Sequence, residues 1–153
     1  MILTLPGVIP LADVAATSAL GTALAGSLRS GEAICLTGPL GAGKSTLARA
    51  LVRALTTPQE EVPSPTFTLV QVYDGKDLTV AHFDLYRLTD PDEAYEIGLD
   101  EALEDGAVLI EWPERLEGRL PPDRLDIVIG FEGAGRSAHL VPHGAWKGRG
   151  FEF

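Results

Sequence analysis

Ala33-Ile34-Cys35-Leu36-Thr37 runs directly into Gly38-Pro39-Leu40-Gly41-Ala42-Gly43-Lys44-Ser45, and a run rich in Leu and Ala follows. The first five residues form a short apolar block with β-rich character, which predicts a buried strand. The next eight satisfy G-x4-G-K-[ST], a spacing that chance produces in about one chain in 250 of this composition. Leu47, Leu51 and Leu55, with Ala48 and Val52, then make an apolar stripe on a helix expected from Lys44 to Leu55. Strand, glycine loop and helix in this order form a phosphate cradle. Glycines let successive backbone N–H groups turn inward, and the helix N-terminus adds partial positive charge. Gly38, Leu40, Gly41, Ala42, Gly43, Lys44, Ser45 and Thr46 are therefore the expected nucleotide-binding residues. Lys44 would span the terminal phosphates and the Ser45 hydroxyl would ligate Mg2+.

Outward from this loop the chain alternates in element type. Asp13 is an N-cap candidate for a helix to about Arg29, carrying Leu20, Leu24 and Leu28, with Gly31 as its stop. Residues 2–5 read as a short edge strand before the Pro6-Gly7 turn. Pro58, Pro63 and Pro65 exclude regular structure after the second helix. Phe67–Tyr73 and Leu78–Leu85 flank Asp74-Gly75-Lys76-Asp77 as a hairpin. Asp90-Pro91-Asp92-Glu93 opens a third helix. Ala107–Ile110 is a buried strand that runs into Glu111-Trp112-Pro113. Leu125–Phe131 and Ala138–Val141 pair across Gly133-Ala134-Gly135. The expectation is an α/β fold of the P-loop NTPase type, with a mixed, mostly parallel sheet flanked by helices and a C-terminal β-hairpin. Residues 1–143 would form one domain. Residues 144–153, with Gly144, Gly148 and Gly150, would be a flexible tail.

The composition narrows the partners. In 153 residues, 12 basic and 22 acidic side chains leave a net charge of −10, and the three lysines are scattered. A nucleic acid gripped by this chain alone would need clustered Lys and Arg, so that class is excluded. No stretch approaches the roughly 20 apolar residues of a membrane span. No basic segment precedes an apolar one at the N-terminus, so no signal peptide is expected. The single cysteine, Cys35, sits in an apolar run and reads as a buried small hydrophobe in a reducing, cytoplasmic compartment.

A phosphate loop needs a carboxylate to hold magnesium, and two strands end in one. Asp84 closes Val80-Ala81-His82-Phe83-Asp84, and Glu111 closes Val108-Leu109-Ile110-Glu111. The carboxyl ends of strands in an open α/β sheet form the ligand crevice. Spacing alone does not rank the two acids by distance to the metal. Ser64-Pro65-Thr66-Phe67-Thr68 offers a threonine hydroxyl that could approach a γ-phosphate or Mg2+ and order the loop; a turn satisfied by its own hydroxyls is the competing reading. His82 reads as a buried hydrogen-bonding residue rather than a base. Trp112 reads equally as filler at a strand end, and Arg87 as a phosphate contact or an ion-pair partner. The chain has no asparagine, so the Asn-Lys-x-Asp device that reads guanine is absent and ATP is the expected nucleotide. Pro10-Leu11 and Arg136 are the candidate adenine contacts.

Four segments together resemble the TsaE (formerly YjeE) family. They are Gly38 to Thr46, Ser64-Pro65-Thr66-Phe67-Thr68-Leu69-Val70, His82-Phe83-Asp84-Leu85-Tyr86-Arg87-Leu88 and Ile110-Glu111-Trp112-Pro113-Glu114. The resemblance implies a Mg2+-dependent ATPase of low turnover. Such a protein supports the TsaB–TsaD assembly in placing threonylcarbamoyl on adenosine 37 of tRNA, and meets tRNA only through those partners. It also implies roles: Lys44 on phosphate, Ser45 as a magnesium ligand where many members have Thr, and Thr66 as the switch threonine. Asp84 would act in hydrolysis near the metal, Glu111 beside the metal, and Trp112 would be the family tryptophan. Two alternatives stand beside it: a small-molecule or nucleotide kinase, and a nucleotide-controlled binding module without essential hydrolysis.

Overall fold

In a computed structural model, which describes residues 2–65 and 68–153, nine strands and four helices form two sheets and their covering layers. The phosphate loop joins strand β3 (Ala33–Thr37) to helix α2 (Lys44–Leu55), with the boundaries the sequence predicts. Strand β1 is Ile2–Thr4, β2 is Gly7–Leu11, and helix α1 is Val14–Ala25. Strands β4 (Val70–Asp74) and β5 (Thr79–Asp84) form the expected hairpin. Helices α3 (Asp92–Glu96) and α4 (Leu99–Asp105) precede β6 (Ala107–Glu111). Strands β7 (Arg124–Glu132) and β8 (Gly135–Pro142) make the C-terminal hairpin, and β9 (Gly150–Glu152) ends the chain.

The main sheet has seven strands in the order β2-β8-β7-β3-β6-β5-β4. The central four, β7-β3-β6-β5, run parallel, and the outer pairs are antiparallel. Two consequences position the site. Strands β3, β6 and β5 are consecutive neighbours, so the phosphate loop and both strand-end acids leave the sheet at one edge. The register then sets Leu36 beside Glu111 and Glu111 beside Asp84.

Side chains alternate across the sheet. Ile34, Leu36, Val80 and Leu109 pack with Leu20 and Leu24 of α1 and Leu47 and Leu51 of α2. Ala33, Cys35, Phe83, Val108 and Ile110 pack on the other face with Ala94, Leu99 and Leu116. By the same alternation His82, Asp84 and Glu111 project to the α1/α2 face, where α2 begins. Helices α1 and α2 approach so closely that a Cβ on Gly21 would lie 2.4 Å from the Leu47 carbonyl oxygen. The Cys35 thiol is fully buried, and burial together with the nearby Asp126 carboxylate pushes its pKa up to about 12. It is an inert packing group.

Several boundaries differ from expectation for physical reasons. Helix α1 stops at Ala25, not Arg29: the Gly26 N–H turns back to Ala23, and the Ser27 carbonyl oxygen accepts from Arg149 at 2.9 Å. The third helix is two, because Gly98 takes a left-handed φ of 97° between them. Strand β2 is unforeseen. It tolerates Pro10 because it lies at the sheet edge, where one side of the backbone needs no partner.

Residues 144–153 are not a loose tail. Gly144–Trp146 forms a 3-10 turn, Trp146 is fully buried in the α1/α2-side core, and β9 pairs antiparallel with β1. Arg149 clamps the segment. Its guanidinium donates to both oxygens of buried Glu32, at 2.8 and 2.6 Å, and stacks 4.2 Å from the Trp146 ring centroid. Burial of a bidentate pair and an indole outweighs the freedom of three glycines. No helix among the described residues is long and apolar enough to cross a membrane.

Candidate functional site

The glycines of the loop do what their positions require. Gly41 and Gly43 adopt φ of 80° and 110°, and a Cβ on Gly38 would lie 2.5 Å from the Ile129 carbonyl oxygen of β7. The loop thus rests directly on the neighbouring strand and opens toward the N-terminus of α2. A cavity of about 380 Å3 sits there. Its lining includes Gly43, Lys44, Ser45, Thr46, Asp84 and Glu111.

Lys44 is 6% exposed; its Nζ donates to the Gly38 carbonyl oxygen at 2.7 Å and lies 3.8 Å from the centroid of the Trp112 ring. An ammonium carries three donors, so this one bond leaves it able to meet phosphate oxygens. The aromatic face favours the cation in a place that excludes bulk water. Trp112 itself has φ 59° and ψ 52°, a left-handed backbone that is rare for a bulky residue and concentrates at functional sites. That turn lifts the ring off the end of β6 and onto Lys44. Tyr86 supports it from the side, with ring centroids 5.0 Å apart. The ring packs against the core face that carries Phe83 and Ile110 and also meets the phosphate-loop lysine.

Asp84 and Glu111 are 6% and 4% exposed, side by side in the register. Both Asp84 oxygens are engaged: Oδ1 accepts from the Tyr86 backbone N–H at 3.1 Å, and Oδ2 from the Ser64 hydroxyl at 3.4 Å. Glu111 Oε2 is 2.7 Å from His82 Nε2, and both groups are buried. This agrees with His82 as a buried hydrogen-bonding residue. Ser45, Asp84 and Glu111 supply hard oxygen donors to one cavity, the donor set that suits Mg2+ completed by phosphate and water. The described residues contain no cluster of three or more His, Cys, Asp or Glu able to hold a metal.

A second cavity of about 390 Å3 lies across the loop. It is lined by Leu11 at the end of β2, Asp13 and Thr17 at the start of α1, Gly41, Thr46 and Arg136. Arg136 Nη2 donates to the Gly41 carbonyl oxygen at 3.3 Å, and its guanidinium lies 4.3 Å from the Phe131 ring centroid. Of the candidate adenine contacts, Leu11 and Arg136 reach this cavity; Pro10 is not among its lining residues. Arg87 is likewise not among the residues lining the first cavity, and Thr66 lies outside the described residues. Sequence reasoning missed Ser64 and Tyr86 as supports of Asp84. Ser64 was visible in the proline-stiffened segment, but nothing local shows that it faces Asp84, twenty residues on.

A profile of one family, described as "Threonylcarbamoyl adenosine biosynthesis protein TsaE", matches residues 11–138, which include every residue of both cavities. The chain belongs to the TsaE family. The TsaE protein of Treponema pallidum is 41% identical over 106 residues, covering 69% of this chain and 77% of that protein. TsaE of Rickettsia conorii is 39% identical over 111 residues, which are 72% of this chain and 63% of that protein. The match therefore spans less than two-thirds of that Rickettsia relative. The crystal structure of Bacillus subtilis YdiB superposes with a TM-score of 0.74 at 29% identity, covering 94% of this chain and 88% of that one.

Proposed function

We propose that this chain is a cytoplasmic Mg2+-dependent ATPase subunit that supports formation of threonylcarbamoyladenosine at position 37 of tRNA, acting with TsaB and TsaD. The observation that carries the reading is the convergence of Lys44, Ser45, Asp84 and Glu111 on one cavity at the N-terminus of α2. Relatives carrying the name tRNA threonylcarbamoyladenosine biosynthesis protein TsaE supply the pathway. The charge of −10 supports contact with tRNA only through protein partners.

In this reading the loop N–H groups and the α2 dipole hold the phosphates, and Lys44 offsets charge as it grows on the γ-phosphoryl oxygens. The Ser45 hydroxyl and Glu111 would hold Mg2+, which when bound would supply positive charge against the phosphates. Asp84, fixed through both oxygens, aligns the attacking water and accepts its proton as the bond from γ-phosphorus to the bridging oxygen breaks. Glu111 lies on the strand next to β3 and Asp84 one strand further, which supports that division of roles. Thr66 remains the proposed switch threonine near the γ-phosphate.

Reconstitution tests the function. With TsaB–TsaD, tRNA and a threonylcarbamoyl donor, adding this chain and ATP should convert a single round of modification into many. Equal yields with and without the chain would exclude the role.

The second cavity is the proposed base site, with Leu11 against the ring and Arg136 at its rim. With no guanine-reading segment, ATP should displace a fluorescent ADP analogue at least as well as GTP does. A clear preference for GTP in that titration would overturn the base assignment.

A further inference from the structure

Glu111 poses a packing problem. A carboxylate 4% exposed in the sheet edge needs donors, and a carboxylate that can rotate presents no fixed oxygen to its cavity. Neighbouring strand β5 answers it. His82 stands two residues before Asp84, on the same face, and its ring is 2% exposed. Its Nε2 lies 2.7 Å from Glu111 Oε2, and because a carboxylate oxygen accepts, the tautomer that fits this contact carries its hydrogen on Nε2. The other ring nitrogen, Nδ1, is buried and has no hydrogen-bond partner among the described residues. Among the described residues the ring hydrogen-bonds to Glu111 alone.

We propose that His82 is a positioning residue: its Nε2–H holds Glu111 Oε2, so that Glu111 offers one defined oxygen, Oε1, to the magnesium side of the cavity. The inference rests on the nucleotide reading given above and assigns a residue that reading does not use. Outer partners that orient a ligating carboxylate typically affect metal affinity by about 10- to 100-fold. The effect of losing His82 should thus fall on the metal-dependent part of nucleotide binding.

The two side-chain amides separate this from a packing role. In His82→Gln the amide nitrogen can reach the place of Nε2; in His82→Asn it falls at the place of Nδ1, out of reach of Glu111. Titration of a fluorescent ADP analogue against Mg2+ should show His82→Asn needing about tenfold more Mg2+ for half-maximal binding. Its affinity without Mg2+ should stay at the wild-type value, and His82→Gln should recover most of the loss. Equal weakening of both variants with and without Mg2+ would mean that the ring merely fills space, and would overturn the proposal. A wild-type Mg2+ dependence in His82→Asn would overturn it too. Should the variants fail to fold, nitrogen NMR of the wild-type imidazole decides: a hydrogen-bonded, slowly exchanging proton on Nε2 supports the proposal, and a bare Nε2 refutes it. Wild-type protein that binds nucleotide without any Mg2+ dependence would instead remove the metal reading of the whole cavity, a failure distinct from that of His82 alone.

Discussion

Lys44→Ala is expected to reduce ATP turnover by at least about 100-fold, the size of effect seen when one preorganised donor to a developing oxyanion is lost. Lys76 and Lys147 are the other lysines, and neither lines the cavity, so no ammonium can substitute. Two contacts go with the side chain: the Gly38 carbonyl oxygen loses its 2.7 Å donor, and the Trp112 ring loses the cation beside it. Both contacts are at the loop rather than in the apolar core, so the fold should persist, with thermal unfolding close to wild type. Single-turnover hydrolysis and Mg-ATP titration check the result together. Unchanged affinity and unchanged turnover would remove the phosphate-loop assignment altogether.

The pair Asp84→Asn and Glu111→Gln should divide cleanly. Asp84→Asn keeps shape and can still accept from the Tyr86 N–H. It removes the charge that aligns and deprotonates water, a demand that peaks in the transition state. Its kcat should fall about 100-fold while nucleotide affinity changes less than about threefold. Glu111→Gln removes charge that acts in the ground state as well. Mg2+-dependent affinity for ADP and ATP should fall by roughly tenfold, with kcat falling alongside. The opposite pattern would exchange the two roles. Turnover unaffected in both would make the two acids structural.

The parts legible in the sequence were those written within a few turns of chain. The run from Ala33 to Leu55 specifies strand, loop and helix through local pattern alone, and the structure follows it residue for residue at both ends. Asp84 and Glu111 were legible because each closes an apolar run. Their adjacency was not, since it depends on β6 inserting between β3 and β5, a pairing made over tens of residues. Strand β2 was hidden by Pro10, which signals a break everywhere except at a sheet edge. The C-terminal segment misled for a related reason. Gly144, Gly148 and Gly150 announce local freedom, whereas the clamp that cancels it joins Arg149 to Glu32 across the whole domain. Ser64, Asp13 and Thr17 went unnoticed as cavity residues because small polar side chains carry no pattern of their own.

The pairing of β1 with β9 has a consequence for covalent topology. Ile2 lies opposite Glu152 and Leu3 opposite Phe151, and the pairing is anchored by the Leu5 N–H to the Arg149 carbonyl oxygen at 2.9 Å. Strands paired this way stand about 5 Å apart at facing positions, within the span of a disulfide. A disulfide engineered between facing positions of the two strands would close most of the chain into a ring while its native contacts stay as they are. The denatured chain alone would lose freedom, by a loop-closure entropy on the order of 5 kcal/mol for a ring of this size. A cross-link across that gap would make permanent, in covalent form, what two three-residue strands now hold by hydrogen bonds.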